Sequence, residues 1–324
     1  MCTAINWKAK DHYFGRNLDL EYSYYETVTI TPRNYPFQFR MLEEKKKHYA
    51  MIGVAYVVEE YPLYYDATNE QGVSMAGLLF AGNAFYPEPE EGFDNVSPFE
   101  FVPWILSQCK NMKEVKELLS RIRLVNLSFS KELPLTPMHW MISYREESLV
   151  VESMKDGLHF HENPVGVLTN NPPFGFQKWN LSNYMGLTKE EEENRFGIGD
   201  WLETYSRGMG ALGLPGDLSS ASRFVRAAFV RANSIGGETE EECVGQFFHI
   251  LTSVEQQRGS VHMGEGKYEI TVYSSCCNTE KGIYYYVTYG NRQITAVDMY
   301  RENLEGRRTV SYPLVVGQQI KCQN

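Results

Sequence analysis

The amino-acid sequence predicts an α+β fold in which antiparallel sheets lie between helical layers. Strand-like segments come first, a pair of helices follows, a second pair begins near residue 219, and strands close the chain. Its 22 tyrosines are typical of many strands with half-polar faces, and a 43% apolar content is sufficient for a sizeable core. The sequence contains no internal repeat and no low-complexity linker, which favours one domain spanning residues 1–324.

A hairpin is the first predicted element. Two strand-like segments are joined by a polar turn at residues 9–11. A turn centred on Ala9-Lys10 would place Cys2 opposite Asn17, and a turn centred on Lys10-Asp11 would place it opposite Asp19. In either register, the Cys2 thiol is expected to lie beside Arg16 and Asp19.

Further strands are predicted from short runs rich in β-branched and aromatic residues, bounded by turn residues. They are expected at residues 27–31, 48–58, 72–79, 141–144, 148–154, 158–162, 267–274, 282–289, 294–298 and 309–313. Gly290-Asn291 indicates a second hairpin between two of the last strands.

Four helices are predicted, and their start signals are clear. Ser97-Pro98-Phe99-Glu100 indicates a capping box with proline at the first helical position. The helices are expected at residues 97–109, 111–123, 219–233 and 239–252. The acidic run at residues 190–193 lies in a polar stretch, which predicts an extended surface loop.

Composition excludes several classes of partner. A net charge of −10 and a pI near 5.3 disfavour nucleic acid and anionic membranes, which need a basic surface. No apolar run approaches the roughly 20 residues that span a bilayer, and a secretion signal is not expected. The spacing of the six cysteines and of the histidines predicts neither disulfides nor a metal site, and no cofactor is expected. A cytoplasmic protein with reduced thiols is the resulting expectation.

Cys2 directly follows the initiator methionine, which is normally removed before a small residue. The mature chain is therefore expected to begin with cysteine. Such a residue combines a thiol nucleophile with a free α-amine, whose reference pKa of roughly 7.7–8.0 allows it to act as a base. This pair can cleave an amide without a separate histidine. An incidental terminal cysteine is the alternative, and the neighbouring residues decide between the two.

Arg16 and Asp19 have properties that an N-terminal thiol requires. A nearby guanidinium favours the thiolate. A carboxylate facing the α-amine can orient it and stabilise its protonated form. An ordinary ion pair at a strand end is the alternative interpretation.

Two later segments contain candidates for the same site. Asn170 lies in a proline-limited turn, where its amide could donate to a developing oxyanion, an interaction worth roughly 3–4 kcal/mol. It could equally be an ordinary turn residue. Arg223 falls in the first turn of a predicted helix, where the macrodipole disfavours a cation by roughly 0.3–1 kcal/mol. A functional role would explain this position, and so would pairing with Asp217 or Asp19.

Six motifs, in order along the chain, resemble those of the choloylglycine hydrolases. This family contains the bile salt hydrolases and penicillin V acylases and belongs to the N-terminal nucleophile hydrolases. The motifs are Met1-Cys2-Thr3, Phe14-Gly15-Arg16-Asn17-Leu18-Asp19, Thr31-Pro32-Arg33, Asn69-Glu70-Gln71-Gly72, Leu168-Thr169-Asn170-Asn171-Pro172, and Gly213-Leu214-Pro215-Gly216-Asp217 with Ser222-Arg223-Phe224. The resemblance extends beyond Tyr300 and implies a four-layer αββα sandwich that hydrolyses a non-peptide amide.

The resemblance also implies a role for each matching residue. Cys2 is expected to be the nucleophile and its own α-amine the general base. Arg16 would tune the thiolate, Asp19 hold the amine, Asn170 donate to the oxyanion and Arg223 support the charges around Cys2. A thioester to the acyl group would form, the amino acid would leave, and water would release a free bile acid.

One position departs from the family pattern. Bile salt hydrolases usually carry asparagine at the third position of Gly77-Leu78-Leu79-Phe80, and penicillin V acylases commonly carry tyrosine there. The main-chain N–H of Leu79 remains as an oxyanion donor. An altered substrate preference is therefore expected.

Conjugated bile salts, the substrates implied by the resemblance, have an apolar body and an anionic tail. The family's pocket positions match Leu18, Val58, Tyr65, Phe129 and Leu133, with Tyr24 and Tyr61 as weaker candidates. Ordinary core packing is the alternative for each of them. Arg207 could meet a taurine sulfonate or a glycine carboxylate, and its Ser-Arg-Gly context resembles that of taurine-favouring members. A homotetramer is also implied, with residues 187–210 reaching a neighbouring subunit.

Two other functions compatible with these residues remain open. A penicillin V acylase would share the catalytic residues and differ in the pocket, and Leu79 is compatible with this alternative. A non-catalytic carrier of amphipathic anions would bind without turnover and would retain Met1.

Overall fold

The computed structural model describes residues 1–199 and 201–324, and it contains two large antiparallel sheets. The strands are β1 (Cys2–Lys8), β2 (His12–Leu20), β3 (Thr27–Thr31), β4 (Met51–Val58), β5 (Tyr61–Asn69), β6 (Val73–Leu79), β7 (Asp94–Val96), β8 (Ile122–Leu124), β9 (Met138–Tyr144), β10 (Glu147–Met154), β11 (Gly157–Glu162), β12 (Val167–Leu168), β13 (His262–Gly264), β14 (Lys267–Tyr268), β15 (Ile270–Asn278), β16 (Ile283–Thr288), β17 (Asn291–Asp298) and β18 (Val310–Pro313). The helices are α1 (Phe101–Leu106), α2 (Met112–Leu119), α3 (Phe174–Asn180), α4 (Ser220–Asn233) and α5 (Glu240–Thr252).

The strand order explains how the sheets form a sandwich. One sheet has the order β12-β1-β2-β15-β16-β17 and the other β11-β10-β9-β6-β5-β4-β3-β18. Strands β1 and β2 contact β6 across the space between the sheets. Helix α1 packs on β5 and β6 of the eight-stranded sheet, whereas α4 and α5 pack on β1 of the six-stranded sheet. This arrangement confirms the predicted four-layer αββα sandwich.

Two apolar cores fill the layers. One lies between α1, α2 and the eight-stranded sheet, where Phe101 meets the ring of Trp140 edge-on at 4.9 Å. The larger one extends from the inner sheet faces to α4 and α5, and it includes Phe224 and Phe247. Cys2 belongs to this larger core, at the start of β1.

The register predicted for the first hairpin is wrong by one residue. Lys8 pairs with His12, so three residues form the turn, and the Ala9 N–H donates to the Asp11 carbonyl at 3.0 Å. Cys2 consequently faces Leu18, between the two registers predicted from the sequence. The predicted registers assumed a turn centred on a peptide bond, whereas the observed three-residue turn is centred on Lys10.

The first two predicted helices are shorter than expected. Helix α1 begins after Glu100, whose carboxylate accepts the Ser97 N–H at 3.1 Å, as in half of a capping box. The Ser97 hydroxyl instead donates to the Leu127 carbonyl at 2.5 Å, so the preceding residues form a turn. Helix α2 ends at Leu119, and Ile122–Leu124 forms a short strand.

Residues 187–210 contain no helix or strand before the short 3₁₀ helix Met209–Ala211, and residue 200 lies outside the described residues. The Thr188 N–H donates to the Gly210 carbonyl at 2.8 Å, which fastens the two ends of this segment together. Within the described ranges, no helix has the length and apolar character needed to cross a membrane.

Candidate active site

The main chain of Cys2 is held from both sides in a buried position. Its N–H donates to Asn170 Oδ1 at 2.7 Å, and its carbonyl oxygen accepts from Arg223 Nη1 at 2.7 Å. Asn170 follows β12, the edge strand beside β1, and Arg223 comes from α4 above it. Cys2 itself is only 4% exposed. Two parts of the chain that are distant in sequence therefore hold the main chain of Cys2.

Arg223 is fully buried in the first turn of α4, which begins after the capping residue Ser219. Its Nη2 donates to Asn170 Oδ1 at 2.9 Å, and Nη1 lies 4.0 Å from Asp19 Oδ2. Burial lowers the pKa of Arg223, while the charge of Asp19 opposes this change. Asp217 instead accepts the Ser219 N–H at 2.9 Å and also pairs with a serine in α4. The partner of Arg223 left open by the sequence is thus Asp19.

Asp19 is fully buried at the end of β2. Its Oδ1 accepts the Thr271 hydroxyl at 2.6 Å. Burial raises the pKa of Asp19, whereas the Arg223 charge, the terminal amine and the Thr271 hydrogen bond act in the opposite direction. The Met1 amine donates to the Asp19 main-chain carbonyl at 2.8 Å and also contacts the Glu269 carboxylate.

Arg16 is fully buried, and its side chain bridges the two sheets. Nη1 donates to the carbonyl oxygens of Gly77 at 2.6 Å and Tyr65 at 3.0 Å. Nη2 has no hydrogen-bond partner within residues 1–199 and 201–324. Burial alone would lower the pKa of Arg16, but nearby negative groups, Cys2 first among them, raise it above its ordinary value. The Arg16 guanidinium and Cys2 are thus close enough for their charges to interact.

The Asn170 amide has a defined orientation. Oδ1 accepts from two donors, and Nδ2 donates to the Leu79 carbonyl at 2.8 Å, so the oxygen and nitrogen positions follow from the hydrogen bonds. An amide NH₂ group has two hydrogens, and one of them remains for a ligand. Leu79 ends β6 with 40% of its surface exposed.

The pocket positions predicted from the resemblance lie at different depths. Leu18 is buried directly opposite Cys2, and the Tyr65 carbonyl contacts Arg16. The residues that are half-buried are Val58, Tyr65, Phe129 and Leu133. Tyr24 is 39% exposed. Arg207 lies in an exposed turn and makes no hydrogen bond with Cys2, Arg16, Asp19, Asn170 or Arg223 within the described chain.

Three residues that complete this region were not predicted from the sequence. Thr271 holds Asp19, Glu269 contacts the terminal amine, and Asp66 is a buried carboxylate behind Arg16. Asp66 accepts hydroxyl hydrogen bonds from Tyr273 at 2.7 Å and Tyr284 at 2.6 Å. The available signal for Asp66 was an acidic residue inside a run of tyrosines and apolar residues.

Solved structures with a similar fold define the class. The crystal structure of the mutant C2A conjugated bile acid hydrolase from Clostridium perfringens matches with a TM-score of 0.92 and 38% identity, covering 100% of both chains. Penicillin V acylase from Agrobacterium tumefaciens matches with a TM-score of 0.74 and 17% identity, covering 96% of this chain and 90% of that one, a likeness of fold alone. The protein therefore has the αββα fold of the N-terminal nucleophile hydrolases.

Sequence comparison then identifies the family. The model of the linear amide C–N hydrolases, choloylglycine hydrolase family, matches residues 2–312. The bile salt hydrolase/transferase of Lactiplantibacillus plantarum is 54% identical over 314 residues, covering 97% of each chain. This chain belongs to the choloylglycine hydrolase family, and it is an amidohydrolase of linear amides.

Proposed function

We propose that this enzyme hydrolyses the amide bond of glycine- or taurine-conjugated bile salts, with Cys2 as the nucleophile. The observation that carries the proposal is the buried frame around the Cys2 main chain, in which Asn170 accepts its N–H and Arg223 binds its carbonyl. The names of the relatives from L. plantarum and C. perfringens support the substrate class.

Removal of Met1 turns the Cys2 nitrogen into the α-amine. At its present position this nitrogen lies 2.7 Å from Asn170 Oδ1, which would orient it. The amine then accepts the thiol proton, and the Arg16 guanidinium stabilises the resulting thiolate. Arg223 binds the Cys2 carbonyl and lies 4.0 Å from Asp19, whose carboxylate would offset the positive charge that the amine gains.

The buried charges suit this proton transfer. In their charged forms, the two guanidinium groups and two carboxylates that are at most 1% exposed here sum to zero, namely Arg16, Arg223, Asp19 and Asp66, and Glu269 beside the terminal amine adds one negative charge. A proton that moves from the thiol to the amine creates one negative and one positive charge, so the total does not change. Uncompensated buried charge is costly, and this balance avoids it.

The reaction follows in two halves. The Cys2 sulfur attacks the amide carbon, the amide nitrogen takes a proton from the α-ammonium group, and the C–N bond breaks to release taurine or glycine. The resulting thioester is attacked by water, which gives a proton to the α-amine. The C–S bond then breaks, and the free bile acid leaves with the thiol restored.

Oxyanion stabilisation is assigned to Asn170 and Leu79. The free amide hydrogen of Asn170 and the main-chain N–H of Leu79 come from the two segments that meet at the Asn170–Leu79 hydrogen bond. Donors placed in advance where charge develops act strongly because they need no reorganisation during the reaction. Leu18, Tyr24, Val58, Tyr65, Phe129 and Leu133 would surround the steroid, and Arg207 would meet the anionic tail.

The decisive experiment measures taurine and glycine released from taurocholate and glycocholate. The wild-type enzyme is expected to release both, whereas Cys2→Ala should release neither while binding bile salt normally. Intact-mass analysis should show loss of one methionine from the active protein. Equal turnover by Cys2→Ala, or full activity with Met1 retained, would refute the proposal. Binding without turnover by the wild type would indicate the carrier function instead.

Penicillin V is a second candidate substrate, and Leu79 favours it because the asparagine usual in bile salt hydrolases is absent. Measurements of kcat/KM on taurocholate and penicillin V with the same preparation separate the two. A larger value for penicillin V would reassign the enzyme as an acylase.

We also propose a cytoplasmic homotetramer assembled through residues 187–210. The segment and its surroundings expose large apolar side chains, including Trp179, Phe196, Trp201 and Tyr205. Light scattering of the wild type and of a Trp201→Ser/Tyr205→Ser variant tests the assembly. A wild-type monomer, or an unchanged tetramer in the variant, would contradict it.

A further inference from the structure

A buried histidine–carboxylate pair lies outside the residues discussed so far. His139 in β9 and Glu152 in β10 are both fully buried. His139 Nδ1 lies 3.0 Å from Glu152 Oε1, and His139 Nε2 lies 2.8 Å from the Thr169 carbonyl oxygen. The pair therefore contacts the main chain one residue before Asn170.

The hydrogen bonds fix the number of protons on this pair. A carbonyl oxygen can only accept, so His139 Nε2 must carry a hydrogen. One further proton lies between Nδ1 and Glu152 Oε1. Oε1 also accepts the Phe174 N–H at 2.9 Å, which favours a carboxylate and places the proton on His139. His139 is then an imidazolium paired with a buried carboxylate.

The surroundings agree with a cationic ring. The Phe80 ring stacks on His139 with centroids 4.3 Å apart and an angle of 5° between the planes, and cations are attracted to aromatic faces. Glu152 Oε2 has no hydrogen bond within the described residues and lies 3.5 Å from His161 Nε2. The negative charge of Glu152 therefore balances the positive charge of His139.

His139 contacts both segments assigned to oxyanion binding. On one side it donates to Thr169, whose neighbour Asn170 holds the Cys2 nitrogen. On the other side it stacks on Phe80, which follows Leu79. The Asn170 N–H is held separately by the Ser220 hydroxyl at 2.8 Å. His139 thus supports the Thr169 carbonyl and the end of β6 at once.

We propose that His139 and Glu152 are positioning residues, whose buried ion pair sets the distance between Asn170, Leu79 and Cys2. This inference rests on the proposed function, because it concerns the geometry of that reaction. Neither side chain touches the reacting atoms. Their effect is transmitted through the Thr169 carbonyl and the Phe80 ring.

Glu152→Gln tests the pair, because it preserves shape and removes the negative charge. The neutral His139 that remains has one ring hydrogen. With the new amide oxygen at the Oε1 position the Thr169 carbonyl loses its donor, and with the amide nitrogen there the Phe174 N–H loses its acceptor. We expect kcat to fall at least tenfold with KM changed less than twofold. Alkylation of Cys2 by iodoacetamide should slow in parallel, because Asn170 no longer holds the amine.

Val151→Ala is the matched control. Val151 is the preceding residue of β10 and is buried in the opposite core, against α1 and α2. It should lower the melting temperature without slowing alkylation, and its kcat should stay within twofold of the wild type. If Glu152→Gln retains wild-type kcat and alkylation rate, or loses no more than Val151→Ala, the proposal is overturned.

A second readout does not depend on turnover. In wild-type protein with ¹⁵N-labelled histidine, both ring nitrogens of His139 should be protonated at pH 7, with the signal assigned by its loss in His139→Phe. A neutral His139 ring would overturn the proposal. Should the wild type fail to hydrolyse bile salts, the proposed function falls, while the spectrum and the alkylation rates still decide on the pair.

Discussion

The amide nitrogen of Asn170 donates to the carbonyl of Leu79 in the region to which we assign oxyanion binding, and Leu79 contributes an apolar side chain there. Most of the site surrounds the Cys2 main chain, so its geometry does not depend on this side chain. In the proposed reaction, residue 79 would instead determine how many donors face the substrate. Single residues of this kind control rate and preference without changing the fold.

Replacing Leu79 by asparagine should raise kcat on taurocholate, because the new side chain adds an N–H donor near the oxyanion. Removal of one such donor costs roughly 10²–10³ in kcat in a measured case, so we expect a gain of about tenfold. Steady-state kinetics with Leu79→Met as the apolar control measure this. Equal kcat in all three proteins would show that the main-chain donor is sufficient.

Arg207 is the residue expected to distinguish taurine from glycine conjugates. Its exposed position limits the interaction, since exposed ion pairs contribute about 0.2–1 kcal/mol. We expect Arg207→Gly to lower the ratio of kcat/KM for taurocholate over glycocholate by about two- to fivefold. Arg195→Gly, in the same exposed segment, is the control and should leave the ratio unchanged. An unaltered ratio in Arg207→Gly would exclude this role.

The sequence predicted most elements that have strong local signals. The central strands, α4 and α5 agree closely, because apolar periodicity and capping residues such as Thr239 mark them; its capping box with Glu242 is present. Strand β5 was missed because Pro62 and Asp66 are typical of loops. Asp66 fits a buried strand only because tyrosines from β15 and β16 donate to it, and such distant partners are not visible in a local window.

The candidate site residues were predicted from sequence motifs and not from apolar periodicity. Cys2, Arg16, Asp19, Asn170 and Arg223 were found through motifs, and the structure brings all five together. Helix α3 and the His139–Glu152 pair carry no motif, and their positions depend on contacts between segments far apart in sequence. Local pattern thus identified the candidate catalytic residues better than the residues packed around them.

The segment before β4 should respond to pH through His48. Burial lowers the pKa of His48 below 6.5, while the carbonyl oxygens of Tyr49 and Tyr35 act in the opposite direction. The neutral ring can donate to only one of these two carbonyls. The unfolded chain therefore binds this proton more readily, so stability falls as pH drops below about 6.5. His48→Gln should reduce this loss. Thermal unfolding between pH 7.5 and 5 measures it, and parallel curves for both proteins would contradict the prediction.

Asp66 connects the two sheets of the whole molecule. It projects from β5 and accepts hydroxyl groups of Tyr273 in β15 and Tyr284 in β16. Burial raises the pKa of Asp66, while the charge of Arg16 and the hydroxyl donors act in the opposite direction. One polar contact between the sheets therefore lies directly behind the proposed thiolate-stabilising arginine.

Loss of the Tyr284 hydroxyl should destabilise the sandwich. Hydrogen bonds to charged groups contribute about 1.5–3 kcal/mol, so we expect Tyr284→Phe to lower the free energy of unfolding by this amount. Tyr285→Phe is a control on the same strand, since its hydroxyl donates to Glu240 at a less buried position. Urea unfolding compares them, and equal losses would argue against a special role for the contact between sheets.

Met1 extends the first hairpin by one rung. Its carbonyl accepts the Asp19 N–H at 2.9 Å, its amine donates back to the Asp19 carbonyl, and the peptide bond to Cys2 lies against Asn170. An aminopeptidase needs this bond in an extended, accessible end, which the closed hairpin does not offer. The proposed function requires this bond to be cut, and the cut would have to precede closure of the hairpin, on the ribosome or soon after it. Cells that synthesise the chain faster than they trim it would accumulate a folded but permanently silent fraction.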